Sequence, residues 1–261
     1  MNTSKVINHI VNWLKSYSTS SKTNGFVVGI SGGIDSAVTS TLACMTGLPT
    51  LCIQMPIYQS KNELLRSGKH IEWLNKFKNF EEEYIDLTKT FESFSKSVAK
   101  DHKNDNLLSL ANSRSRLRMT TLYYYATLNN YLVVGTGNKV EDFGVGFYTK
   151  YGDGGVDLSP IADLMKSQVR AVAKELNIID EIILAKPTDG LWDDTRSDED
   201  QIGATYDELE MAMELKNKKI NINTLKGRNL EVYQILDNLY NKNEHKMIPI
   251  PICKIPKEFT K

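Results

Sequence analysis

Six consecutive residues, Ser31-Gly32-Gly33-Ile34-Asp35-Ser36, combine what a phosphate site needs. Glycines let the backbone turn sharply and approach a ligand closely. Free N–H groups ahead of a helix then face an anion, and the hydroxyls of Ser31 and Ser36 add donors. Asp35 repels a bare phosphate, so beside one it makes sense as a Mg²⁺ ligand. The spacing is neither GxxxxGK[ST] nor GxGxxG, so no lysine follows to reach a γ-phosphate. The plain alternative is a glycine turn capped by Asp35.

Three further groups could complete such a site. Thr136-Gly137-Asn138-Lys139-Val140-Glu141 follows an apolar run. Glu141 alone reads as a solvated acid, but a carboxylate at a strand end can share a magnesium ion with Asp35. Thr149-Lys150-Tyr151-Gly152-Asp153-Gly154-Gly155-Val156-Asp157 is a glycine loop that could fold over phosphates, with Pro160 and Lys166 beyond it. Asp153 reads equally as a turn residue before two glycines. His245-Lys246 read equally as cations closing a helix. On a helix, Arg114 and Arg118 share a face, while Arg116 is turned roughly 200° from each. Arg116 can therefore address a different partner, a phosphate or carboxylate, unless the stretch is simply an exposed amphipathic face.

These residues need a scaffold, and the apolar pattern supplies one. Residues 3–17 repeat at helical spacing. Gly25–Ile30 is a short β-branched run, hence a buried strand, followed by the glycine turn and a helix over 35–45 with Asp35 or Ser36 near its N-cap. Leu51-Cys52-Ile53 and residues 80–86 read as strands, 61–76 and 106–129 as helices, and Leu132–Gly135 as another buried strand. Strands alternating with helices predict an α/β fold, a doubly wound, mostly parallel sheet with helices on both faces. Thr136–Gly155 is glycine-rich and reads as loop. Helices are expected at 167–176, 204–216 and 229–241. Residues 187–203, polar and acidic, read as a mobile surface loop, and Ile248–Pro256 as an extended tail. With no repeat and no linker, residues 1–261 read as a single domain.

Lys plus Arg number 32 and Asp plus Glu 32, so the net charge is zero and nothing suggests a field for nucleic acid. Three cysteines without metal spacing argue for a reducing compartment, the cytoplasm. No stretch approaches the ~20 apolar residues of a membrane span.

SGGIDS, between a predicted strand and helix, resembles the pyrophosphate loop of the N-type ATP pyrophosphatases, which form an adenylate and release pyrophosphate. Together with Thr136–Glu141, TKYGDGG and His245-Lys246, it is similar to the ammonia-dependent NAD synthetases, over about residues 5–250. The resemblance implies a Rossmann-like fold of the adenine nucleotide alpha hydrolase kind. It implies that Gly29, Ile30, Ser31, Gly32, Gly33, Ile34, Asp35 and Ser36 bind ATP, with Thr136, Lys166 and Thr188. Asp35 and Glu141 would hold Mg²⁺. Arg116, Lys150, Asp157, His245 and Lys246 would contact deamido-NAD. Asp153 and Lys166 would be catalytic, Asp153 by accepting a proton from ammonium and Lys166 by holding the leaving pyrophosphate. Between Glu141 and Lys150 the chain is one residue longer than some members, so Asp142–Gly146 departs from the pattern. Members are homodimers with the acceptor site near the interface.

The expected reaction joins ATP, deamido-NAD and ammonia. There is no room for a glutaminase domain and residue 2 is Asn, which points to free ammonia, with a separate glutaminase as the other source. Segments 144–155 and 187–203, glycine-punctuated and beside the expected ligands, are the candidate lids. The alternatives are another adenylating amide synthetase, a tRNA thiolase, or a nucleotide-binding module without chemistry.

Overall fold

The computed structural model describes residues 1–98, 107–188, 190 and 197–260. In chain order they form α1 (Thr3–Ser21), β1 (Gly25–Gly29), α2 (Ile34–Met45), β2 (Thr50–Gln54), α3 (Lys61–Leu74), β3 (Phe80–Tyr84), α4 (Thr88–Val98), α5 (Leu107–Asn129) and β4 (Tyr131–Val133). A π-helix follows at Val140–Val145, then α6 (Lys166–Glu175), α7 (Asp180–Ile183), α8 (Asp198–Ile202), α9 (Tyr206–Asn217) and α10 (Gly227–Met247).

The four strands are parallel in the order β3-β2-β1-β4. Val28 pairs with Cys52 on one side of β1, and Val27 with Val133 on the other. The chain winds outward from β1 through β2 to β3, then crosses back to add β4 on β1's free side. The carboxyl ends of β1 and β4 therefore flank the switch point where open parallel sheets bind ligands.

Alternation within each strand sends side chains to both faces. Phe26, Val28, Cys52 and Leu132 pack with α1, α2, α3, α6 and α7. Val27, Leu51, Ile53 and Val133 pack with α4 and α5. Burial on both faces is why these strands read as unbroken apolar runs. A further cluster, around Tyr206, Leu209, Val232 and Leu236, joins α9, α10 and the π-helix.

Several expectations need correction. The 136–155 segment is not all loop, because 140–145 is helical. Gly144 sits there for packing: a Cβ would lie 2.8 Å from the Met213 sulfur. The i→i+5 turn takes up one more residue than an α turn. The 187–203 segment ends in a helix, capped by Ser197 and Asp200, with Ser197 and Asp198 buried; Asp189 and residues 191–196 of it lie outside the described residues, as does Asn106 of the expected 106–129 helix. Helix α4 had no counterpart in the sequence reading; Phe91, Phe94 and Val98 recur at helical spacing along it, but of these Phe91 alone is buried. The last long helix runs past 241 to Met247, since nothing breaks it before Ile248-Pro249. Among the described residues no helix is long and apolar enough to cross a membrane.

Candidate active site

The β1–α2 turn is braced by its own side chains. Gly33, not Asp35 or Ser36, is the N-cap of α2, and no side chain caps the helix. Glycine has no side chain to cap with, and Ser36 Oγ instead turns back to donate to Gly33 O at 2.9 Å. The hydroxyls of Ser31 and Ser36 lie 3.1 Å apart, and Gly33 N–H donates to Ser31 Oγ at 3.2 Å. Gly32 adopts φ +83°, and a Cβ there would sit 2.6 Å from Glu63 O. Glycine is thus required twice over, by dihedral and by the closeness of α3. Arg66 Nε holds the turn from α3 by donating to Gly32 O at 3.1 Å.

Asp35, in the first turn of α2, meets residues from two distant parts of the chain. Lys166 Nζ lies 2.5 Å from Asp35 Oδ2 and 3.0 Å from Glu141 Oε1. The Lys166 side chain is 2% exposed. Burial disfavours its charge, but the two carboxylates outweigh this and raise its pKa above the ordinary lysine range. Asp35 is pushed up by burial, against the pull of Lys166. Glu141 is also pressed upward by burial, but Lys166, the Tyr206 hydroxyl and Asn138 bring it below its ordinary value. Asn138 donates to Asp35 Oδ1 at 3.2 Å and accepts from the N–H groups of Val140 and Glu141 at 3.1 and 3.2 Å. It joins the loop after β4 to the loop after β1.

Gly29, Ile30, Thr136 and Thr188 border the same cleft. Asp153 also lines it. Its Oδ1 accepts from Ser115 Oγ at 2.6 Å and Thr149 N–H at 3.0 Å. Surrounding protein raises its pKa although the residue keeps an opening to the cleft.

The expected acceptor contacts lie apart from this triad. Arg116, exposed, donates to Lys150 O at 3.3 Å, and Lys150 Nζ donates to His245 O at 2.7 Å. Lys246 Nζ donates to Gly146 O and, at 2.8 Å, to Tyr148 O. Burial lowers its pKa. The last turn of α10 thereby clasps the segment after the π-helix. Asp157 lies on a separate shallow hollow bordered by Trp13, Tyr17 and Phe143. Its oxygens accept from the Tyr123 hydroxyl at 2.9 Å and Val133 N–H at 2.8 Å.

Several cleft residues were missed. Arg118 donates to Met55 O at 3.0 Å and Gln59 Oε1 at 2.7 Å, whereas Arg114 lies beside the Tyr58 and Phe91 rings. Asp142 lines the cleft, its pKa pushed up to about 8 by burial and by Glu141, Asp153 and Asp35. Asn138 stood inside a quoted motif without a role. Tyr206 carried no local signal beyond the Thr205 cap before it.

Asp35 and Glu141, which converge on Lys166 Nζ, are the carboxylates that could hold a metal ion; among the described residues no group of three or more His, Cys, Asp or Glu could do so. Magnesium commonly binds one or two carboxylates and completes its shell with substrate phosphates and water.

A glycine turn and charged triad at a switch-point crevice place the protein among nucleotide-binding α/β enzymes. A family model described as NAD synthase matches residues 6–249. The NH(3)-dependent NAD(+) synthetase of Mesoplasma florum is 36% identical over 256 residues, covering 94% of this chain and 95% of that protein. That of Methanosarcina acetivorans is 35% identical, covering 98% and 100%. Among solved structures, the NMN synthetase from Francisella tularensis superposes with a TM-score of 0.86 at 31% identity, covering 98% and 100%. The NH3-dependent NAD synthetase from Campylobacter jejuni gives 0.78 at 28%, covering 97% and 100%. The chain belongs to the NAD synthase family, ligases that form a carbon–nitrogen bond at the expense of ATP.

Proposed function

We propose that this chain converts deamido-NAD to NAD with ATP and free ammonia. The observation that carries the reading is the meeting of Asp35, Glu141 and Lys166 beside the glycine turn. The nicotinate carboxylate attacks the α-phosphorus of ATP, pyrophosphate leaves, and an acyl adenylate forms. Ammonia then attacks the activated carbonyl, and AMP leaves. Two anions must meet in the first step, so charge neutralisation dominates. Lys166 and the N–H groups of the turn hold the pyrophosphate. Asp35 and Glu141 would hold Mg²⁺, which supplies further neutralisation of the phosphates. Asp153 accepts the proton that ammonium must lose before it is nucleophilic. Arg116, Lys150, Asp157, His245 and Lys246 bind deamido-NAD near the interface of a homodimer. The unpaired thiols fit the cytoplasm.

The test is to supply ATP, Mg²⁺, ammonium and deamido-NAD and to measure AMP, pyrophosphate and NAD in equal amounts. Release of ADP, or AMP without NAD, overturns the reading. Glutamine in place of ammonium should yield NAD only if a separate glutaminase is added. A second reading, amidation of the nicotinate mononucleotide, is favoured by the likeness to the Francisella NMN synthetase. Higher kcat/KM for the mononucleotide than for the dinucleotide would select it.

A further inference from the structure

Tyr206 opens α9 and has no exposed surface. Its backbone is pinned there: Thr205 caps the helix in a reciprocal box with Glu208, and Tyr206 N–H donates to Glu199 Oε1 at 2.9 Å. A buried phenol needs an acceptor. The hydroxyl lies 2.5 Å from Glu141 Oε1, with Asp198 Oδ2 farther off at 3.3 Å. Lys166 Nζ reaches the same Glu141 oxygen and lies 4.7 Å from the centre of the Tyr206 ring. One side chain therefore presents its hydroxyl to the carboxylate and its ring to the ammonium.

Glu141 needs such support. It stands in the first turn of a six-residue π-helix, where Asn138 secures the backbone. A glutamate side chain keeps several rotamers unless something outside the backbone selects one. Partners that hydrogen-bond a metal-binding carboxylate orient it, and losing one typically costs about 10–100-fold in metal affinity.

We infer that Tyr206 is a positioning residue of the metal site: its hydroxyl orients Glu141 for Mg²⁺ and its ring steadies Lys166. This rests on the reading of Glu141 as a metal ligand. Tyr206→Phe removes the hydroxyl and leaves the ring packed. Mn²⁺ binding, followed by electron paramagnetic resonance with the non-cleavable α,β-methylene analogue of ATP, should weaken about tenfold or more. The Mg²⁺ concentration for half-maximal turnover should rise by a similar factor, with kcat recovered at saturating Mg²⁺. A purely structural role would lower Tm and the active fraction without moving either metal curve. In a Glu141→Gln background, Tyr206→Phe should no longer change Mn²⁺ affinity. Unchanged Mn²⁺ affinity in Tyr206→Phe, or an equal loss in the Glu141→Gln background, overturns the inference. The Mn²⁺ readout needs no acceptor, so a wild type that binds Mn²⁺ yet makes no NAD would instead overturn the proposed function.

Discussion

Lys166 and Lys150 carry the same ammonium group, and the protein uses them in opposite ways. Lys166 is almost wholly buried between two carboxylates, with Tyr206 at its flank. Lys150 is half-buried and reaches a backbone carbonyl, as Arg116 and Lys246 also do. The inner charges are complete before any ligand arrives, and the surrounding core holds their geometry. The outer cations rest on neutral acceptors and tie loops together. Two opposite charges attract more strongly than a charge and a neutral carbonyl, so an incoming phosphate or carboxylate can draw the outer cations away. The inner half is fixed by its own charges and the core around it, and the outer half is held by bonds that can be exchanged.

The sharpest break of this contrast is Lys166→Met. It leaves Asp35 and Glu141 facing each other without their cation, and loss of one member of a buried charge cluster costs about 3–5 kcal/mol. Urea denaturation should register that loss, and pyrophosphate release should fall by about 10²–10³-fold. Lys150→Met should change stability by less than about 0.5 kcal/mol and raise the KM for the acceptor instead. Equal effects of the two substitutions would erase the distinction.

Asp153→Asn should slow amidation about 10²–10⁴-fold while leaving adenylate formation, read as pyrophosphate exchange, near wild type. A base works when ionised, so wild-type amidation should fall as pH drops through the raised pKa of Asp153. The asparagine variant should lack that fall, and retaining it would assign the proton to another group.

His70 tests how firmly the inner half is anchored. It is buried between α2 and α3, 2.9 Å from Ser40 Oγ, and burial, with Lys76, lowers its pKa from 6.5 to about 4. Below pH 6.5 the unfolded chain takes up a proton that the folded protein refuses. Stability is unaffected by this group above pH 6.5 and falls between there and pH 4, by at most about 3 kcal/mol. Urea midpoints at pH 7 and pH 4.5 should differ less for His70→Gln than for wild type.

A more local effect is expected at Gly146, where the α10 clasp closes. Its φ is +63°, and a Cβ would lie 2.5 Å from that of Asn243. Gly146→Ala should cost about 1–3 kcal/mol and raise the acceptor KM, leaving ATP-dependent pyrophosphate exchange intact. A matching rise in the KM for ATP would show that the two halves are not separable at this point.

Much of the inner half was legible in advance for local reasons. The runs Gly25–Gly29 and Thr50–Gln54 are apolar because both faces are covered, and that shows in composition alone. The turn at Ser31–Gly33 needs residues that tolerate its dihedrals and crowding, and glycine announces that need. The π-helix was hidden because Gly144 and Gly146, which serve packing and a clasp, look like loop glycines. Tyr206 was hidden because a buried tyrosine looks like any core aromatic until its acceptor is known.

The amino-acid sequence by itself determined the alternation of strand and helix, the parallel sheet and the glycine turn between β1 and α2. These follow from periodicity and turn chemistry within a few residues. Tertiary structure alone decided that Lys166 stands between Asp35 and Glu141, 131 and 25 positions away along the chain. It also set Asp157 on a hollow apart from the cleft and Tyr206 against Glu141. The reason is physical. Which charges meet depends on the crossover that returns the chain from β3 to β4 beside β1, and no local pattern records where such a crossover ends.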